Sequence, residues 1–317
     1  MTQPCMPRSA ALTLIAGGML AAIRPAAAQT GTVNVRFGAM SIDAFGEAYY
    51  GLDRGIYADN GISPQITTLP NGSTILQAVL GGDLDVGMAN IVQVAAAVAR
   101  GIPIQMIAPA SLYSVKDSYP QLAVAKASPI KSAKDLDGGT VAVSTLNDFN
   151  QLGVQAWLDH NGVVPTRVHF VELKFSEMGP ALQRGTVQAA IITEPSMNAA
   201  ILADEVRKFA DVYSAVAPEF ATIVWFATKN WLQKNPDTAK KLVNGIYATA
   251  RWANSHKPET AEILVRVAKM DPATVAKMTR AYYATSNDRK YVQAPLDLAA
   301  RYGLLSRPVT AAEFSAP

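Results

Sequence analysis

Apolar runs of strand length alternate with helix-period stripes along most of this chain, and no other feature narrows its fold as far. A short apolar run, a 3.6-residue stripe and a glycine stop make one βα unit, and repeated units build parallel sheets covered by helices. Val33 to Ala39 alternates with period two, Ala44 to Asp53 reads as helix, and Gly55 and Gly61 bracket a turn. Ile66 to Leu69 is a second strand; Ile75, Leu76, Val79 and Leu80 then form one face of a helix that Gly81-Gly82 stops. Val86 to Ala89, the apolar helix Ile91 to Arg100 and the strand Ile104 to Ala108 complete the first set. A second set follows Leu122 to Ala125: strands at Thr140 to Ser144, Val168 to Leu173 and Ala189 to Thr193, with helices at Phe149 to His160 and Glu177 to Arg184. From Asn230 onward the pattern is mostly helical with little strand.

The two sets echo one another. Val79 to Gly87 matches Leu182 to Ala190 in character position by position, each reading as a helix end, a Gly stop, a turn and a buried strand. Two similar α/β lobes explain the echo, and generic αβ connections are the competing explanation.

Length and composition agree with a large folded chain. The 317 residues suggest about two domains. Half of them are apolar and 17% charged, which excludes wholesale disorder. Arg8 and Arg24 are the only charges in the first 28 residues, so beyond them 26 basic residues face 25 acidic ones, a net of +1. That balance argues against a nucleic-acid footprint. Beyond the N-terminus no apolar run reaches membrane-spanning length.

The N-terminus reads as an export leader: Arg8, then an uncharged stretch from Ala10 to Ile23, then Ala26-Ala27-Ala28, with cleavage expected after Ala28. An N-terminal anchor is the competing reading, disfavoured by the short apolar run and Pro25. Cys5 is the sole cysteine and leaves with the leader, so residues 29–317 offer no disulfide, thiolate metal site or Cys nucleophile. A bacterial periplasm is the expected compartment.

Catalytic constellations are lacking. No two of His160, His169 and His256 have a helical metal-ligand spacing. Ser128-Pro129-Ile130-Lys131 matches S-x-x-K only formally, because Pro129 breaks the turn that would aim the lysine. Neither a metal nor a cofactor is expected.

Three polar loops between strand ends and helix starts carry more information: Ser41 to Phe45, Asn71 to Thr74, and Ser144 to Phe149. Ligands of open α/β sheets bind outside the carboxyl ends of strands, where helix N-termini present free N–H groups and a positive dipole end. Plain N-capping accounts for any one such loop. Three loops spread over both halves point to a shared ligand site containing Ser41, Asp43, Phe45, Asn71, Ser73, Thr74, Ser144, Thr145, Asn147, Asp148 and Phe149.

Several segments together resemble a known family. They are Ala48 to Tyr57, Leu76 to Asn90 with its Gly82-Asp83-Leu84-Asp85-Val86-Gly87 core, Tyr119 to Val143, Ala181 to Pro195 ending in Thr193-Glu194-Pro195, and Tyr291 to Leu305. In order and spacing they are similar to the substrate-binding proteins of ABC importers, in the nitrate/sulfonate/taurine branch related to pyrimidine-precursor binders. The resemblance implies a type II periplasmic binding protein fold: two α/β lobes with mixed, mostly parallel sheets, joined by two crossover strands near Leu122–Ala125 and Thr222–Phe226. Lobe I would comprise residues 29–123 plus 225–317, and lobe II residues 124–224. It adds Asn90 and Glu194 to the ligand contacts. Phe45, Tyr49, Phe149 and Trp225 offer rings for stacking or an apolar wall, with core packing as the competing role of each. Gln188 stands where the family usually has Asp, which is expected to loosen that turn, and the ligand loops lack arginine.

The function implied is capture of a small organic acid or zwitterion (sulfonate, taurine, aromatic or pyrimidine-like) by hinge closure, for delivery to an inner-membrane permease by a monomer with no catalysis. Asp43, Asp148 and Glu194 are placed to meet an amino or protonated heterocyclic group, with capping and loop solvation as their competing roles. Ligand sensing for a membrane receptor remains open, as does a lyase or biosynthetic enzyme on the same fold. An iron-dependent pyrimidine synthase, however, would need a Cys/His-rich site that residues 29–317 do not supply.

Overall fold

The computed structural model describes residues 31–118 and 121–316. The leader expected over residues 1–28 and its cleavage point lie outside the described residues. The chain enters a first sheet with β1 (Val33–Ala39), β2 (Ile62–Thr68), β3 (Val86–Asn90) and β4 (Ile104–Pro109). It leaves through β5 (Ser111–Ser114) and forms a second sheet from β6 (Leu122–Ala125), β7 (Thr140–Val143), β8 (His169–Glu172), β9 (Ala189–Ile191) and β10 (Val206–Ala210). It then returns through β11 (Glu219–Ala221) to β12 (Ile223–Thr228) in the first sheet. A late strand, β13 (Tyr282–Tyr283), completes a small sheet with β5 and β11.

The two large sheets have the same topology. The first has the order β2-β1-β3-β12-β4, and the second, taken from its β8 edge, β8-β7-β9-β6-β10. β1 pairs in parallel with β2 and β3, and β7 with β8 and β9. β12 runs antiparallel between β3 and β4, and β6 antiparallel between β9 and β10. Each sheet therefore has one strand against the common direction, and that strand is the one on which the chain arrives from elsewhere. The two crossovers expected near Leu122–Ala125 and Thr222–Phe226 are these strands.

The sequence echo falls at equivalent points of the two sheets, the approaches to β3 and β9. Asp85 Oδ2 accepts the backbone N–H of Arg36 on β1 at 2.8 Å, and Gln188 Oε1 accepts that of Thr140 on β7 at 2.7 Å. Gln188 thus supplies the acceptor that the carboxylate supplies in the other sheet, and the loosening expected from this departure does not occur. What Gln188 lacks is the charge, which Asp85 uses to pair with the Arg36 guanidinium at 2.7 Å.

Two local differences from the sequence reading have physical causes. β2 begins at Ile62 rather than Ile66, running through Pro64; it is an edge strand, where a missing N–H is tolerated. β10, β11 and β13 carry little periodicity because they are short, and β13 sits in the tail read as helical.

The core of the first sheet centres on the fully buried Trp225 of β12. Its ring meets Phe37 edge-on at 5.2 Å, and Phe37 meets Tyr57 in the same way at 5.3 Å. Each such pair adds about 0.5–1.5 kcal/mol beyond its buried area. Among the described residues no helix is long and apolar enough to cross a membrane.

Candidate functional site

The carboxyl ends of strands from both sheets open onto one cavity of about 490 Å3. The segment after β1 contributes Met40, Ile42, Asp43 and Phe45, and the end of β3 contributes Asn90. From the second sheet come Ser144, Thr145, Asp148 and Phe149 after β7, Glu172 at the end of β8, and Thr193 and Glu194 after β9. The remaining wall is built where the chain crosses, from β5, Gln121, Thr222 and Ile223, and from Thr279 to Tyr282.

Four helices of nine or more residues start at this cavity, Gly72–Gly81, Ile91–Ala99, Phe149–His160 and Phe175–Gln183. Each of the first three is capped by the polar side chain of the residue that precedes it. Asn71 Oδ1 accepts the Thr74 N–H and Asn90 Oδ1 the Gln93 N–H, both at 2.9 Å. Asp148 Oδ1 accepts those of Asn150 and Gln151 at 2.9 and 3.1 Å. Capping consumes these oxygens, so the residues shape the wall chiefly through the helix starts they hold there. Burial nevertheless pushes the Asp148 carboxyl up to about 7, outweighing the hydrogen bonds it accepts.

Of the residues expected from sequence, Asp43, Phe45, Asn71, Asn90, Ser144, Thr145, Asp148, Phe149 and Glu194 come together around the cavity. The others are engaged elsewhere. Ser41 Oγ donates to the Ala268 carbonyl at 2.8 Å, and Thr74 donates its hydroxyl to Asn71 at 3.0 Å. Ser73 Oγ accepts from Gln93 Nε2 at 3.3 Å. Asn147 is a left-handed residue (φ 57°) whose N–H donates to Gln151. Trp225 is wholly in the core, its indole N–H donating to Glu47 Oε2 at 2.8 Å.

Arginine does reach the cavity, although not from the loops. Arg280 lines it and is held by Asp43, with Nε 2.8 Å from Oδ2 and Nη2 3.1 Å from Oδ1. Tyr50 also donates to the Asp43 carboxylate at 2.6 Å, and the Ala281 N–H at 2.8 Å, while Tyr283 donates to the Asp43 carbonyl. Arg280 further reaches Thr260 Oγ1 at 3.0 Å and the Lys257 carbonyl at 3.2 Å. Asp43 is thus saturated by protein donors and is not available to a ligand amine. Its role is to fix the 279–282 segment as a wall of the cavity. Desolvation opposes the Arg280 charge, but the carboxylate prevails and raises its pKa above the usual guanidinium value.

Charge around the cavity is acidic. Among the described residues that line it, Asp43, Asp117, Asp148, Glu172 and Glu194 are acidic and Lys174 and Arg280 basic, with Lys208 and Lys257 adding positive charge from behind the wall. Glu194 is 8% exposed, and burial raises its pKa, opposed by N–H donors from Asn198 and Thr279 and by the Lys208 charge. Aromatic rings complete the wall: Phe149 lies 5.2 Å from Tyr213, and Tyr213 5.8 Å from Tyr113. Tyr213 donates to Asn150 Oδ1 at 2.6 Å, and Asn150 Nδ2 donates to Asp148 at 2.8 Å, so ring positions and helix cap are coupled.

Residues 44–261 match the family model described as NMT1/THI5 like. The chain belongs to this family. Among curated proteins, the taurine-binding periplasmic protein of Escherichia coli (strain K12) is 26% identical over 183 residues, 57% of this chain. The chain spans 55% of that relative's length. Among solved structures, the periplasmic aliphatic sulphonate binding protein SsuA of Escherichia coli superposes with a TM-score of 0.73 at 18% identity, over 90% of this chain and 92% of that one. The alkanesulfonate-binding SsuA of Xanthomonas axonopodis pv. citri, bound to MOPS, gives 0.74 at 16% identity, over 90% and 99%. The periplasmic nitrate-binding protein NrtA of Synechocystis PCC 6803 gives 0.70 at 13% identity, over 87% and 83%. At these identities the superpositions show a shared periplasmic binding protein fold.

Proposed function

We propose that this protein is the extracytoplasmic solute-binding component of an ABC importer, exported by the leader over residues 1–28, and that it captures a small organic acid or zwitterion between its two sheets. Residues 29–123 with 225–317 would move as one lobe and 124–224 as the other, pivoting at the crossovers. The observation that carries this reading is the single cavity lined by the strand ends of both sheets and by four helix starts. A solute there touches both sheets at once, so its binding energy favours the closed arrangement. Phe45, Phe149 and Tyr213 supply apolar walls for a ring or alkyl chain; Ser144, Thr145, Asn71 and the helix starts supply donors for an acidic group. The names of the relatives support sulfonates and taurine as the first solutes to test. No bond need be made or broken, and a membrane permease is the partner that would receive the closed form.

Thermal unfolding of residues 29–317 against sulfonates, carboxylates, amino acids and pyrimidines tests the proposal. A true solute at a hundred times its Kd adds about 2.7 kcal/mol of stability. If every compound leaves the melting temperature unchanged while one of them is chemically converted, the protein is an enzyme and the proposal fails.

A further inference from the structure

The helix Lys290–Arg301 follows the chain's return to the first sheet, yet it is built onto both halves of the molecule. Its buried face, Val292, Pro295, Leu296 and Ala299, belongs to a helix that packs on β11 of the crossover, on Ile91–Ala99 of the first half and on Phe149–His160 of the second. At its start Lys290 Nζ lies 3.5 Å from Glu219 Oε2 of β11. At its end Arg301 Nη2 and the Tyr302 hydroxyl both donate to Asp159 Oδ2, at 2.8 and 2.9 Å. Gly303, with φ 73°, closes the last turn so that the Leu304 N–H reaches the Ala299 carbonyl at 2.8 Å, which fixes the backbone of both donors.

Asp159 is ten residues beyond Phe149 in one helix, about 15 Å at the helical rise, and Phe149 lines the cavity whereas Asp159 does not. That helix is a rod with one end in the cavity wall and the other held by Arg301 and Tyr302. The two halves also meet where Ser196–Leu202, just beyond Glu194 of the cavity wall, packs on Pro272–Lys277, just before Thr279. Contact at the cavity and at its far side together marks a closed arrangement, and the Asp159 bonds belong to it. We infer that Asp159, Arg301 and Tyr302 form a clasp, remote from the solute, that stabilises the closed arrangement and so regulates how much of the protein is competent to hold a solute. This rests on the two-lobe capture reading, in which apparent affinity scales with the competent fraction. A lone exposed ion pair is weak, but here two donors converge on one oxygen, and parting the halves breaks both bonds.

Distances between spin labels test the clasp without any solute. Residues 29–317 hold no cysteine, so Gln77→Cys with Glu177→Cys places one label on an exposed position of each half, in helices that start at the cavity. Pulsed electron–electron double resonance is expected to show mainly one short distance. Asp159→Ala should raise the ratio of longer to short distances at least about threefold, as loss of a clasp of this kind allows. Tyr302→Phe, which removes one hydroxyl, and Arg301→Gln shift the ratio the same way by less, and they carry the test if Asp159→Ala does not fold. Unchanged or shorter distances in Asp159→Ala, or a lengthening that neither of the other variants reproduces, overturn the clasp. If taurine, ethanesulfonate or phenylalanine narrows the distances in the unsubstituted protein while the substitutions do nothing, closure on a solute stands without the clasp. If neither the substitutions nor any of these solutes changes the distances, both fall.

Discussion

Glu47 gives the sharpest physical prediction. It sits in the first turn of the helix Gly46–Asp53, fully buried, with Oε2 accepting the Trp225 indole N–H at 2.8 Å and Oε1 without a partner among the described residues. One hydrogen bond does not compensate the loss of water, and burial pushes the carboxyl up to about 8. An unfolded Glu ionises near 4.5. Between those values the folded protein retains a proton that the unfolded chain has lost, so stability falls as pH rises and levels off above about 8. At about 1.4 kcal/mol per unit, the full penalty is about 5 kcal/mol. Glu47→Gln keeps an acceptor for Trp225 and removes the titration. Urea unfolding of both proteins at about pH 5 and about pH 8 should therefore show the variant gaining roughly 3–4 kcal/mol on the unsubstituted protein across that interval. Other titrating groups, Asp148 among them, cancel in the comparison. A gap between the two proteins that does not change with pH would refute the reasoning, because it would mean that Glu47 is already ionised in the folded state.

Three further substitutions probe the cavity wall and its supports. Arg280→Leu leaves the Asp43 carboxylate buried without its cation and should cost about 3–5 kcal/mol in denaturant unfolding, whereas adding Asp43→Asn to it should restore part of the loss. Gly51→Ala drives a methyl group into Thr249 and the Tyr57 ring, separating the helix Gly46–Asp53 from Pro236–Ser255, and should cost about 1–3 kcal/mol by the same measurement. Asn71→Ala removes the cap of the helix Gly72–Gly81 and should cost about 1 kcal/mol; a loss above about 3 kcal/mol would mean that Asn71 does more than cap.

What could be read from sequence, and what could not, follows from the range of the signal. The βα alternation, the glycine stops and the polar helix starts are local, and they locate the strands β1, β3, β4 and β7 and the capping residues Asn71 and Asp148 within a few positions. The third wall has no local signature. Arg280 reaches the cavity by pairing with a residue 237 positions earlier, and nothing around it in sequence distinguishes it from a surface arginine. The ring of Trp225 suits a cavity wall and a core equally in sequence. β12, however, is an interior strand of its sheet, so both its faces are apolar, and alternation cannot tell a cavity-facing residue from one in the core. Ser41 and Thr74 hydroxyls were equally plausible ligand donors, but neighbouring carbonyl and amide oxygens claim them first.

Small-angle scattering of residues 29–317 with and without a saturating solute tests capture by closure. The expected result is a contraction of the radius of gyration and of the maximum dimension that appears with the same solute dependence as the calorimetric binding curve. Saturable binding with an unchanged scattering profile would contradict a hinge between the two sheets.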